Sequence, residues 1–358
     1  MFRACSVAVI YNMRFASLCL LVLVLAACTS SESHPDVSNN PAEIVVRRFD
    51  KSLAMADTGN MPAMMQMLDQ EFPGFFQGFM ANVLGIDAAN PEAERALKAF
   101  QSSYKPIFEE AGQVWQKDSA AFLQQLKLAI QLAQYYFPQN PLPRPFEVIT
   151  FVGPMDAYEP FPIGDYGDVS TKDGAGLALQ FYLGKHSGIY ETGMESGVMY
   201  DYQVDRFEPR MMAVNTVKNM VLALFPYNAN GDVLVNEMIE KGKRLYLVKL
   251  LMPNTPDSLQ FGYTAKQWEG CVENESLIWN YFVKADLLYS KEPAINQMYI
   301  HDGPMTQELG EGAPGYIGLF VGRRIVEAYM EKHPNTKAET LMAIPASKML
   351  QEAGYKPV

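Results

Sequence analysis

The chain reads as an α+β protein that is mainly helical, and three observations carry that prediction. Apolar residues recur at helical spacing along most of its 358 residues. Only two stretches, 147–152 and 176–183, have the composition of strands, which makes a small sheet. Four prolines between Pro138 and Pro145 break the chain between a purely helical first part and a mixed second part. With 49% hydrophobic and 12% aromatic residues, the chain is able to bury a core of that size unaided.

Residues 1–27 read as a targeting segment. Arg3 and Arg14 supply its positive start, Leu18 to Leu25 its apolar run, and Leu25-Ala26-Ala27-Cys28 a lipobox in which Cys28 is acylated and becomes the mature N-terminus. Met13-Arg14 begins a shorter, complete signal of the same kind, and a signal cut without lipidation is the rival reading. The apolar run is too short to span a bilayer comfortably, so lipid is the expected anchor. Cys5 and Cys19 leave with the signal, and Cys271 remains as a lone thiol with no disulfide to form. The formal net charge of −11, with no basic stripe, argues against nucleic acid and against docking on anionic headgroups.

Residues 28–40 read as a flexible polar tether, and 41–140 as an N-terminal helical subdomain. There Ile44 to Asp50 opens a helix, 57–62 is a turn before a short helix, and the aromatics of Phe72-Pro-Gly-Phe-Phe belong to the core. Two further helices cover 91–112 and 118–137. The two strands follow, joined by an acidic, glycine-rich loop through Asp165, Asp168 and Asp173.

The stretch from Arg206 to Leu251 is predicted as a central helix pair. Its first helix has Pro209 near the start, stops at Pro226, and carries Ala213, Val217, Met220 and Leu224 on one stripe. The second opens after Asp232 and ends at Met252-Pro253. Between the stripes, Asn215 and Asn219 project from one face as the two His of an H-E-x-x-H zinc helix do, with Thr216 in the place of the Glu. A carboxamide is a poor zinc ligand and Thr is no general base, so a metal site here would be lost; alternatively both Asn are ordinary polar-face residues.

Downstream, Thr264 caps a predicted helix from Ala265 to Ser290 whose stripe holds Trp268, Cys271, Glu275 and Trp279. A carboxyl group flanked by indoles would be desolvated and suited to acid catalysis, or else Glu275 is a paired structural acid. Gly318 and Gly322 stand one turn apart in a helical pattern, a smooth face for close packing and no phosphate loop. A last short helix covers 346–353. His34, His186, His301 and His333 have no second ligand at metal spacing, and no G-x-S-x-G occurs.

Several stretches occur here in one order: the lipobox, Arg48-Phe-Asp-Lys-Ser-Leu53, Phe72-Pro-Gly-Phe-Phe76, Arg206-Phe-Glu-Pro-Arg210, Met238-Ile-Glu-Lys-Gly-Lys-Arg-Leu-Tyr246, Tyr263-Thr-Ala-Lys-Gln-Trp268 and Ala313-Pro-Gly-Tyr-Ile-Gly318. In that order the chain resembles the gliding motility-associated lipoprotein family GldB of the Bacteroidetes, over essentially its whole mature length. The resemblance implies an envelope lipoprotein, in the cell membrane or outer membrane and facing the periplasm, that supports gliding and associated secretion machinery by binding a partner protein. It implies no known reaction.

The family in turn looks like zinc peptidases in which an H-E-x-x-H helix precedes an E-G helix and a G-Y-x-x-G helix. Asn215 to Asn219, Glu240-Lys-Gly242 and Gly318 to Val326 would occupy those places. The resemblance therefore implies that residues 146–358 form a degenerate zincin-like domain with no metal and no cofactor. The alternative is a peptidase-like or cell-wall hydrolase acting through Glu275 or Glu237.

Overall fold

The structure is a computed structural model, described here over residues 34–157, 167–226, 231–310 and 312–358. The targeting segment, Cys28 and Asp165 lie outside the described residues. Four strands form one sheet in the order β1-β2-β4-β3, with β1 (Ile44–Arg48), β2 (Phe146–Phe151), β3 (Val169–Thr171) and β4 (Gly174–Ala178). β1 pairs parallel with β2 in the register Val46↔Val148, β2 pairs parallel with β4, and β3 closes an antiparallel hairpin onto β4. Parallel neighbours need a crossover. That between β1 and β2 is supplied by α1 (Phe49–Met55), α2 (Met61–Glu71), α3 (Phe75–Gly78), α4 (Ala93–Ser103) and α5 (Lys105–Tyr136).

Three expectations for this part are corrected. Residues 44–48, expected to open a helix, are a strand, and the helix begins at Phe49. The strand is held by partners about a hundred residues away: Arg47 pairs with Glu147 across the ladder at 3.1 Å, and Thr150 Oγ1 donates to the buried Asp50 at 2.5 Å. The helices expected at 91–112 and 118–137 divide instead at Tyr104, leaving α5 a single helix of 32 residues with Pro106 in its first turn, where a missing N–H costs nothing. The strand expected to reach residue 183 ends at Ala178, in a 3₁₀ turn over Leu179–Phe181. The aromatic segment is core as expected: Phe49 meets the rings of Phe72, Phe75 and Phe79 with centroids 4.8 to 5.2 Å away.

The remaining helices are α6 (Gly188–Glu195), α7 (Asp201–Val204), α8 (Met211–Leu224), α9 (Leu234–Leu251), α10 (Asp257–Phe261), α11 (Ala265–Glu273), α12 (Glu275–Lys284), α13 (Pro293–Ile300), α14 (Ile317–Lys332), α15 (Ala338–Ala343) and α16 (Ala346–Ala353). Residues 36–358 make one compact unit. The predicted central pair is present as α8 and α9. α8 packs on β3, β4, α5 and α9, so it is enclosed by the sheet on one side and helices on the others. Its C-terminal turn carries no basic residue; Arg244 of α9 reaches across and donates to the carbonyls of Phe225 at 2.9 Å and Pro226 at 2.8 Å, satisfying acceptors the helix end leaves open.

α9 crosses α14 backbone to backbone. A Cβ on Gly322 would stand 1.8 Å from the Met238 carbonyl oxygen, and one on Gly242 would stand 2.3 Å from the Gly322 carbonyl carbon. The smooth face read from Gly318 and Gly322 is thus used, against a helix that carries its own glycine. Beside the crossing, the fully buried Arg323 donates to Glu327 Oε1 at 3.1 Å, to Gln260 Oε1 at 3.2 Å and to Asp257. Its guanidinium also lies 5.2 Å from the Phe261 ring centroid and 5.7 Å from that of Trp268. The C-terminal segment is fastened by Lys243 Nζ donating to the Ile344 carbonyl at 2.5 Å.

The helix expected from Ala265 to Ser290 is two helices. They part at Asn274, whose amide folds back to the Gly270 carbonyl at 2.8 Å, the local competition with the helix ladder that Asn side chains offer.

Candidate functional site

α8 is apolar nearly throughout, yet every side chain from Met211 to Val221 is buried, including Asn215, Thr216, Lys218 and Asn219. Two of the four bond within the fold as follows. Thr216 Oγ1 donates to the Met212 carbonyl one turn back at 2.8 Å. Asn215 Nδ2 donates to Tyr182 Oη at 3.1 Å, Tyr182 donates to Asp168 Oδ2 at 2.7 Å, and Asp168 Oδ1 accepts from the Ala178 amide at 2.8 Å. This relay ties α8 to the end of β4. Asn215 Oδ1 is buried with no hydrogen-bond partner among the described residues. Asn215 and Asn219 share a face, and that face turns inward rather than to solvent.

Lys218 escaped the sequence reading, although it is the single charged residue between Met211 and Leu224. It is fully buried, and burial, with the neighbouring Arg206 charge adding to it, pushes its ammonium down to about 7. Lys241 on α9 behaves similarly: burial lowers it to about 8 against the opposing pull of Glu237. Arg206 stands at the open end of α8. It pairs with Asp302 at 2.7 Å, and its guanidinium lies 5.4 Å from the Tyr202 ring centroid and 5.0 Å from that of Tyr316. Burial and the nearby Asp302 carboxylate push the Tyr202 phenol up to about 12.

These side chains offer amides, hydroxyls, guanidinium and a titratable amine. Zinc takes imidazole, thiolate or carboxylate, so Asn215, Thr216 and Asn219 do not fit it, and the Thr216 hydroxyl already donates within its own helix. Among the described residues no group of three or more His, Cys, Asp or Glu is disposed to hold a metal ion. The arrangement is a buried polar seam that ties α8 to the end of β4.

Glu275 lies well away, on α12. Its Oε1 accepts from Arg324 Nε at 2.9 Å and from the Tyr355 hydroxyl at 2.6 Å, which anchors the C-terminal segment. The indoles do not bracket it: Trp279 packs on Tyr355, and Trp268 packs on Phe261 and Phe320. Cys271 is buried, which raises its thiol to about 12. Glu237 receives Asn296 Nδ2 at 3.4 Å and helps shape a second polar cluster with Lys241 and His301, whose imidazole is lowered by burial first and by Lys241 second. Glu240 binds Lys243 at 2.6 Å and Arg244 at 3.4 Å, a structural engagement on the α9 flank.

No helix among the described residues is long and apolar enough to cross a membrane. The model of the family described as gliding motility protein GldB matches residues 30–357. No curated protein and no solved structure matches the chain. The match takes in the sheet, the α8–α9 pair and the glycine crossing together, and on it the chain belongs to the gliding motility protein GldB family, with the role in gliding motility and the membrane association of a lipoprotein that membership carries.

Proposed function

We propose that this protein is a noncatalytic envelope lipoprotein, anchored through lipid on Cys28, that supports gliding and the associated secretion machinery by binding a partner protein. In this reading residues 146–358 carry a zincin-like scaffold whose substrate cleft has become a contact surface, with β1 of the N-terminal part completing its sheet. The observation that carries it is α8: an inward helix face with Asn215, Thr216 and Asn219 where a zinc peptidase needs two ligands and a base, and with Asn215 turned to Tyr182 instead. The test is metal content. The full chain, purified without chelator, is expected to hold no stoichiometric zinc before or after zinc addition and dialysis; a tightly held equivalent of zinc would sink the reading.

Anchoring is tested separately by Cys28→Ala, motivated by the Leu25-Ala26-Ala27-Cys28 sequence. The variant is expected to leave the membrane fraction and to fail to restore gliding in a null strain. Full restoration by a delocalised protein counts against the anchored role. The second reading, a hydrolase using a carboxylate, is supported by Glu237 beside Lys241 and His301. Glu237→Gln that abolishes gliding at unchanged abundance and thermal stability would move it ahead.

A further inference from the structure

A small cleft of about 100 Å³ opens where the N-terminal ends of α8 and α11 come together, lined among others by Arg206, Arg210, Tyr202 and Gln267. The protein as a whole is acidic, yet this cleft has the opposite balance. Arg206 is paired with Asp302 at 2.7 Å, the two side chains being 11% and 5% exposed, and Asp205 at the rim is paired with Lys185 at 3.2 Å. Arg210 makes no ion pair among the described residues. One positive charge is therefore left over on the wall.

The cleft is held in shape before anything enters it. Arg206 is fixed by its carboxylate and by the Tyr202 and Tyr316 rings. Gly262, at φ +71°, lets the chain pass close beside it: a Cβ there would lie 3.4 Å from Arg206 Cδ. Thr264 and Gln267 close a capping box at the start of α11, with Gln267 N donating to Thr264 Oγ1 at 3.2 Å and Thr264 N to Gln267 Oε1 at 2.9 Å. The start of a helix favours negative charge, and a guanidinium fork matches a carboxylate in two parallel hydrogen bonds.

We propose that this cleft, with Arg210 on its wall, receives a single carboxylate group of a polypeptide, from an acidic side chain or a chain end. The volume holds one such group and not a whole ligand. One surplus cation calls for a monoanion, and the remaining wall, Met211, Leu259, Pro304 and Pro314, is apolar enough to accept the carbon that carries it. The polypeptide source deepens the partner-binding reading and rests on it; carboxylate binding by the cleft does not.

The test is protection of arginine from phenylglyoxal, read residue by residue by peptide mass mapping on the full chain in detergent. The probes are N-acetylglycine for a chain end and N-acetylaspartate α-amide for a side chain, with neutral N-acetylglycinamide as control. Modification of Arg210 is expected to slow several-fold, saturably, with at least one carboxylate, while Arg95, whose side chain is 83% exposed and does not line the cleft, keeps its rate. The probe that protects identifies the source. Gln267→Glu keeps the capping box and adds a negative charge to the wall, so protection is expected to be lost in it.

Equal Arg210 rates with carboxylates and with the neutral amide overturn the proposal. So do equal slowing at Arg95, and protection by inorganic phosphate at lower concentration than by either carboxylate. Each of these leaves the partner-binding reading standing, because that reading is tested by the metal content of α8.

Discussion

Two helices of this protein each bury a cation completely, and they do so in opposite ways. Arg323 on α14 meets Asp257, Gln260 and Glu327 and lies against two aromatic rings, whereas the charge felt by Lys218 on α8 includes that of another cation, Arg206. The first arrangement pairs the charge it buries; the second raises the cost of keeping a proton. Strongly shifted titratable groups cluster at functional sites and occur in structural networks as well. The contrast thus separates a buried cation held by opposite charge from one whose ionised form burial and a neighbouring cation disfavour.

The largest effect should come from the structural side. Gly322→Ala forces a methyl group into the Met238 carbonyl, and the two helix backbones must separate. A loss of about 3 kcal/mol or more is expected, seen as a collapse of the denaturant midpoint. If Gly322→Ala unfolds at the wild-type midpoint, the crossing is not as close as described.

Next comes Arg323→Ala, which leaves Asp257 and Glu327 without their central partner. Removing one member of a buried ionic cluster costs about 3–5 kcal/mol, again read from chemical denaturation. Lys218→Met should cost less: at similar volume and with no charge to desolvate, its midpoint shift is expected to be smaller than that of Arg323→Ala, with gliding impaired. A strong loss of stability would make Lys218 structural and erase the contrast.

The two regions also predict opposite pH signatures. Burial raises Glu327, but Arg323, Lys249 and Arg324 outweigh it and hold its carboxyl below the usual 4.5. The unfolded chain then binds the proton first on acidification, so this stabilisation is present above about 4.5 and is lost as pH falls through the lower folded value. Lys218 is lowered from 10.5 to about 7. Between those values the unfolded chain holds a proton the folded one has released, so stability from this group rises as pH climbs from 7 towards 10.5. Glu327→Gln should flatten the acid limb of a stability–pH curve and Lys218→Met the alkaline limb; exchange of the two outcomes would refute the assignment. The smallest effect is Tyr355→Phe, which deletes one hydrogen bond to Glu275 and should cost about 1–2 kcal/mol by thermal or chemical unfolding, the acceptor being charged.

What the sequence made legible was local. The α8–α9 pair, its proline and glycine stops, the strand at 146–151 and the glycine face of α14 all declare themselves within a few turns of chain. β1 did not, because Ile44 to Arg48 becomes a strand only through a parallel partner a hundred residues on. The break at Asn274 depends on one side-chain bond competing with the ladder, which spacing does not reveal. At the candidate site the positions Asn215, Thr216 and Asn219 were legible as departures from a pattern, but not their inward orientation. Lys218 looked like one more lysine until burial on every side gave it meaning. Arg206 and Arg210 stand in the Arg206-Phe-Glu-Pro-Arg210 motif, and only the approach of α11 turns that motif into a cleft.

The parallel pairing of β1 with β2 has a consequence in time. A chain made from its N-terminus completes Ile44–Arg48 about a hundred residues before Phe146–Phe151 exists to receive it, and such long-range parallel contacts are slow to close. The five helices between them are no more self-sufficient: α1 packs on β2, and α5 packs on α8, α9 and the turn after β4, all of which come later in the chain. The nascent protein therefore carries an unpaired strand at its leading end for the whole synthesis of α1 to α5, and that interval is when it is most open to a chaperone or to misassembly.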